Sequence, residues 1–400
     1  MGLRGEAAIV GMAEYPSERR FTGTPQFSLD WWADIAARAL DDAGIDHRDV
    51  DGICCAGDVR ESTHFTPASI AEYCGWSVNL AEKLDLGGAT PAGMVWRAAA
   101  AVELGICDVV VCAVVHRPAP QPPNPPPPDP RMMYGASSTL FGAPEAEFDV
   151  PYGNVAQNCG YAMLAQRYGA VYGYDPRALA KIAADQRTSA NANPDAVFFD
   201  APATIDDVLA SKMVADPLHL LEIVMPTFGG AAVVVARADR PRRSSHRPVH
   251  LVGFGEHLDH KSPVMMEDMT VTPVGKAARS AFAMAGLGPA DMDVVEIYDC
   301  YTITVLLSLE ASGFCGKGEG QAFVLDHDLS YKGDFPCNTH GGQLGFGQPG
   351  LGGGMSQITE AVRQVRGTAG DRQVSGVDVA FVSGTGGVVS EQSALVLRGG

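Results

Sequence analysis

Apolar and polar positions along this chain fall into blocks that switch between a strand-like and a helix-like period. Ala7 to Val10 is a short apolar run and reads as a first strand. Ser28 to Ala43 spaces its apolar residues as an amphipathic helix. Val50 to Ala56 reads as a second strand, ending near Cys54 and Cys55, which suit small buried positions. A glycine-rich turn, Asp85 to Gly93, leads into a helical pattern from Met94 to Gly105 and then the apolar run Asp108 to Val115. Strand, helix and apolar strand in that order build buried central sheets.

Arg117 to Pro130 carries the run PAPQPPNPPPPDP, which excludes helix and inner strand and reads as a rigid polyproline arm. Tyr134 to Ala210 reads as mostly helical, with one helix starting at Asp175-Pro176. After an arginine-rich loop the pattern resumes: strand His250 to Gly255, helix Val274 to Ala285, strand Val294 to Tyr298 and helix Tyr301 to Gly313. A helix over Gly352 to Gly367 and strands Val377 to Val382 and Ala394 to Arg398 complete it. The second half echoes the first, so the chain divides into 1–245, with an inserted region over 115–230, and 246–400. Two similar halves, with helices between and outside two sheets, form the simplest architecture.

With 400 residues, 46% of them hydrophobic and 19% charged, the chain can bury a large core. A formal net charge of −18 argues against nucleic acid, which needs clustered Lys and Arg. Arg240, Arg242, Arg243 and Arg247 do cluster, and read as a solvated loop or a phosphate-contacting edge. No apolar stretch reaches the ~18 residues of a membrane helix. Nine cysteines without CxxC spacing indicate neither a disulfide framework nor a zinc site, and favour a reducing, cytoplasmic compartment.

Three segments carry the chemistry. The turn Asp85-Leu86-Gly87-Gly88-Ala89-Thr90 resembles the nucleophile turn of thiolases, with glycine where a cysteine would stand. Glu296-Ile297-Tyr298-Asp299-Cys300-Tyr301, followed by Leu309-Glu310-Ala311-Ser312-Gly313, looks like the "HDCF…EALG" segment of sterol-carrier-protein-x-type thiolases. Asn338-Thr339-His340-Gly341-Gly342 through Gly347-Gln348-Pro349-Gly350 is similar to their "NPSGG…GHPxGA" loop, and Glu360 to Gly367 to the helix after it. Gly384-Thr385-Gly386-Gly387 completes a resemblance spanning nearly the whole chain.

That resemblance implies a thiolase-like α/β/α/β/α sandwich of two pseudo-symmetric halves, and a homodimer formed by sheet extension in the first half. The family's nucleophile, activating histidine, second cysteine and strand histidine fall at Gly88, Gln348, Gly384 and Tyr298. Glycine cannot be a nucleophile, and a glutamine amide does not exchange a proton near neutral pH. The pattern is similar to lipid-transfer-protein aldolases of the steroid side-chain-cleaving type. These use a tyrosine in this strand to start retro-aldol cleavage of a 3-hydroxyacyl-CoA, and work with an OB-fold/zinc-ribbon partner. They carry a second tyrosine where this chain has Gln348.

The resemblance therefore makes Tyr298 the base, with His340 or Gln348 assisting and Tyr301 a further candidate. Gly88, Ala89, Gly342, Gly347 and Gly386 are expected to offer backbone N–H groups to a thioester oxygen. Asp299 and Asn338 are candidate orienting groups, and His64 lies on a loop that could reach the cleft. Coenzyme A enters only as part of the substrate, with neither metal nor permanent cofactor. A cysteine-independent acyltransferase and a non-catalytic lipid- or CoA-binding subunit remain alternatives. A Schiff-base route would fall to Lys83, whose neighbours Glu82 and Asp85 disfavour a neutral amine.

Overall fold

The computed structural model describes residues 3–57, 59, 61, 64–121, 123–124 and 137–400. Most of the proline arm, and the start of the helical stretch expected from Tyr134, lie outside the described residues. Among the described residues eleven strands follow one another as β1 (Ala7–Glu18), β2 (Gly52–Cys55), β3 (Leu80–Lys83), β4 (Val109–His116), β5 (Met213–Ala215), β6 (Leu218–His219), β7 (Phe228–Arg237), β8 (Val249–Leu258), β9 (Val294–Glu296), β10 (Val379–Thr385) and β11 (Glu391–Gly399). The helices of the first half are α1 (Ser28–Ala43), α2 (Thr66–Cys74), α3 (Thr90–Glu103), α4 (Pro144–Phe148), α5 (Gln157–Tyr172), α6 (Pro176–Ala190) and α7 (Ile205–Ala210). Those of the second are α8 (Val274–Ala285), α9 (Thr302–Ala311), α10 (Gly320–Asp326), α11 (Gly342–Gly345) and α12 (Gly353–Arg366).

Nine strands share one hydrogen-bonded sheet in the order β3-β2-β4-β7-β1-β8-β11-β10-β9. The two expected sheets are thus joined, through the pairs Ala8–His250 and Ile9–Val249 between β1 and β8. On each side of this seam the arrangement repeats. β1 and β7 are antiparallel, as are β7 and β4, while β2 and β3 run parallel to β4. Across the seam β8, β11 and β10 are antiparallel neighbours, β9 is parallel to β10, and Cys337 bridges β9 where β3 stands beside β2.

Three apolar clusters give the layers. Trp31, Trp32, Ile35, Ala39 and Leu40 of α1 cover the outer face of the first half, meeting Val109, Val111 and Val234. Ala277, Ala281 and Phe282 of α8, with Ile303 and Leu306 of α9, cover the outer face of the second. Between them α3 and α12 pack on each other and on strands of both halves, joining Met94, Val95, Ile358 and Val362 to Val110, Val233, Val382 and Leu395. The order is α/β/α/β/α. Gly11 admits α1 closely, since a Cβ there would lie 2.3 Å from the Ala39 carbonyl oxygen.

Two strands of the large sheet escaped the sequence reading. β7, at the centre of the first half, begins Phe228-Gly229-Gly230 inside the region assigned to the insertion, where paired glycines mimic a turn. The edge strand β3 was also missed, because Leu80-Ala81-Glu82-Lys83 is only four residues long and does not alternate polar and apolar residues. Helix α6 does start at Pro176, with the Asp175 carboxylate accepting from Arg177 N at 2.9 Å.

Candidate active site

β9 ends at Glu296, and five residues of irregular backbone carry the chain to α9. Asn338, itself at φ +55°, pins this stretch: its N–H donates to Val295 O at 2.9 Å and its Oδ1 accepts from Ile297 N at 2.7 Å. Gln357 of α12 donates to the Ile297 carbonyl, and Tyr298 N donates to Ser383 Oγ of β10 at 3.3 Å. With its backbone held on both sides, the buried Tyr298 ring points at the Gly88 turn. A Cβ built on Gly88 would lie 2.1 Å from Tyr298 Cζ and 2.2 Å from its Oη. The phenol occupies the space into which a side chain at position 88 would project.

Gln348 approaches from another loop. Its N–H donates to Met225 O at 2.9 Å and its carbonyl accepts from Thr227 N at 3.0 Å, so the backbone is fixed against the segment entering β7. Its Nε2 then donates to Tyr298 Oη at 2.9 Å. A hydrogen bond donated to a phenolic oxygen favours the phenolate over the phenol. Two of the expected catalytic residues are therefore in direct contact.

At three of the five expected positions the backbone amides act differently from expectation. Ala89 N–H donates to Leu86 O, Gly347 N–H to Gln343 O and Gly386 N–H to Glu391 O, so these three amides are engaged within their own turns. Gly342 lies over the Asp299 carboxylate, where a Cβ would be 2.2 Å from Oδ2. What the glycines provide is close approach. A Cβ on Gly386 would lie 2.1 Å from Leu86 O, and one on Gly354 would lie 2.4 Å from Gly88 O. The turn at Gly88 is thus packed by bare backbone, leaving its free volume to the Tyr298 ring.

His340 belongs elsewhere. It is buried, with Nδ1 3.2 Å from Glu296 Oε2 in an ion-pair contact that lacks hydrogen-bond geometry. Burial works against its charged form, but Glu296, aided by Glu360 and Glu14, holds the imidazole above the ordinary histidine range. Glu360 in turn is paired with Arg372 at 2.8 Å and approached by Arg363 at 3.7 Å. The histidine read as an acid/base is part of a buried ionic cluster beneath α12.

Tyr301 caps the start of α9, donates to Asn158 Oδ1 at 2.5 Å and stacks on Tyr161 with ring centroids 4.0 Å apart. It fastens α5 to the site. Asp299 is fully buried and accepts from the N–H groups of Gln343 at 2.8 Å and Leu344 at 3.1 Å. Burial pushes its carboxyl up to about 7, against the pull of those two donors and of His340. Burial likewise pushes the Cys300 thiol up to about 12 and Cys337 well above the ordinary thiol range. His64 is exposed beside Phe65. Lys83 has its Nζ 3.5 Å from Thr66 Oγ1 and borders a cavity of about 650 Å³ that reaches Gln348. Sequence reasoning missed that chamber, whose walls include Trp31, Leu84, Val114, His116, Phe228 and Leu351 from five separate segments. Among the described residues no cluster of His, Cys, Asp and Glu is arranged to hold a metal, and no helix is long and apolar enough to cross a membrane.

Residues 255–399 match the family model for the thiolase C-terminal domain-like region. Over 392 residues the chain is 32% identical to the steroid side-chain-cleaving aldolase of Thermomonospora curvata, covering 96% of each protein. The chain belongs to the thiolase superfamily. Within it, the 17-hydroxy-3-oxo-4-pregnene-20-carboxyl-CoA lyase of Mycobacterium tuberculosis is 33% identical over 391 residues, covering 96% of this chain and 97% of that protein. The solved Ltp2-ChsH2(DUF35) aldolase superposes with a TM-score of 0.86 at 30% identity, covering 99% of this chain and 98% of that one. The five-layer architecture is the thiolase fold.

Proposed function

We propose that this protein is a carbon–carbon lyase that cleaves a 3-hydroxyacyl-CoA by retro-aldol chemistry, with Tyr298 as the base. The observation that carries the reading is the 2.9 Å hydrogen bond from Gln348 Nε2 to Tyr298 Oη, made above a Gly88 with no side chain. Tyr298 in its phenolate form takes the proton of the β-hydroxyl. The oxygen's electron pair becomes the second bond of a carbonyl, the Cα–Cβ bond breaks, and its pair passes to Cα as the enolate of the shortened thioester. Protonation of that carbon gives an acyl-CoA beside the new ketone or aldehyde. Gln348 supports the phenolate by donation and carries no proton itself. The nearby thiols, Cys300 and Cys337, are held protonated by burial and take no acyl group.

The relatives' names put bulky, steroid-type thioesters first among substrates, and the chamber beside Gln348 has the volume for such a group. We further propose a homodimer paired through the edge strand β3, and a DUF35-type partner like the one in the solved aldolase. A cytoplasmic setting suits the nine free thiols.

The test uses the full chain, alone and with a DUF35-type partner, on 17-hydroxy-3-oxo-4-pregnene-20-carboxyl-CoA. Release of a ketone and a shortened acyl-CoA is expected, with Tyr298→Phe lowering turnover about a hundredfold or more. Intact-mass spectra during turnover should show no acylated protein. A thiol-bound acyl group, or a Tyr298→Phe chain that turns over unimpaired, overturns the assignment.

A further inference from the structure

Gln348 and Tyr298 lie on different segments, and a 2.9 Å contact between two side chains needs those segments held in register. Each has its own anchors, but one group touches both. Asp299 follows Tyr298 directly, and its two carboxylate oxygens accept separately from the N–H groups of Gln343 and Leu344 in α11. The chain then runs through Phe346 and Gly347 to Gln348. Gln357 donates to Asp299 Oδ1 at 3.3 Å and also to the Ile297 carbonyl, closing the arrangement from the α12 side. Gly342, at φ +57°, lets the carboxylate this close, because a Cβ there would overlap Oδ2.

We propose that Asp299 is a positioning residue whose buried carboxylate ties the strand end bearing Tyr298 to the loop bearing Gln348 and keeps their hydrogen bond in register. This rests on the reading of Tyr298 and Gln348 as the reacting pair. The ionised form accepts strongly at both oxygens, whereas protonation turns one of them into a hydroxyl, a weaker acceptor whose proton needs a partner of its own. Burial raises this carboxyl to about 7, so the loss of the tie falls within an accessible pH range. The titratable groups around it are Tyr298 and Cys300 on its own segment and Cys337 and His340 on the segment before α11. α12 meets it with the neutral Gln357.

The experiment labels every tyrosine of the full chain with 13C at Cζ and identifies the Tyr298 signal by its loss in Tyr298→Phe. In the parent protein that signal should step with a midpoint near pH 7, the value burial gives Asp299. Asp299→Asn should remove the step and lower kcat on the same thioester about tenfold to a hundredfold, with KM little changed. A step that persists in Asp299→Asn, or is missing from the parent, overturns the proposal. Should Asp299→Asn fail to fold, Gln357→Leu serves: deleting a donor to the charged form should move the midpoint upward, and an unmoved midpoint overturns the proposal. The NMR readout needs no turnover. An unimpaired Tyr298→Phe would sink the lyase reading while leaving the Asp299 coupling standing.

Discussion

The ring of Tyr298 and a side chain at position 88 exclude one another: Oη lies 2.2 Å and Cζ 2.1 Å from where a Cβ on Gly88 would be. The missing side chain at position 88 and the presence of the phenol are one steric fact. Gly88→Ala should therefore cost about 1–3 kcal/mol through overpacking. Gly88→Ala combined with Tyr298→Ala should lose less than the sum of the two single changes. A double-mutant cycle by denaturant unfolding measures this coupling, and additivity would show that the ring swings clear at no cost.

Gln348 acts on the phenolic oxygen as a donor. Gln348→Leu should lower turnover about tenfold to a hundredfold, the value of one hydrogen bond to a charged oxygen, with KM near the parent value. Gln348→Glu should be worse, because a carboxylate beside a phenolate repels it and donates nothing. Steady-state kinetics of the two variants distinguish donation from mere space-filling.

Cys300 and Cys337 flank the site yet sit in surroundings that disfavour a thiolate, Cys300 at about 12. Iodoacetamide at pH 8 should leave both unmodified in the native protein and alkylate both in denaturant. Peptide mass spectrometry reads the difference.

The ionic cluster below α12 sets part of the acid stability. Burial opposes ionisation of Glu360, but Arg372 above all, then His340 and Arg363, hold its carboxyl at about 2. Because the folded value lies below the unfolded one, this stabilisation is complete above about 4.5 and is lost as pH falls toward about 2. Arg372→Met leaves that carboxylate buried without its partner and should cost about 3–5 kcal/mol at pH 7. The penalty should shrink in acid as Glu360 takes up a proton, which thermal unfolding at pH 7 and pH 3 would show.

Much of this was legible in the chain. Helices Ser28–Ala43 and Val274–Ala285 fall where apolar spacing put them, because each buries one stripe against one sheet. Gly88, Tyr298 and Gln348 stood out because motif positions held residues of the wrong chemistry. Their contact was not legible, since it joins positions 50 residues apart through a turn contributed by a third segment. His340 misled for a related reason. In sequence it is a histidine in a glycine loop, and the carboxylates that capture it arrive from β9 and α12. The amides of Ala89, Gly347 and Gly386 misled too, because a glycine-rich turn looks the same whether it offers its N–H groups outward or spends them on its own carbonyls.

The seam between β1 and β8 consists of two residue pairs, and α3 and α12 supply the rest of the attachment by packing on both sides at once. Each half, taken alone, would expose an oily interior face that only the other half's helix and strands cover. Severing the chain in the loop around Arg243 should therefore yield two fragments that are insoluble apart and regain structure only when refolded together. On that outcome the repeated arrangement behaves as one folding unit written twice.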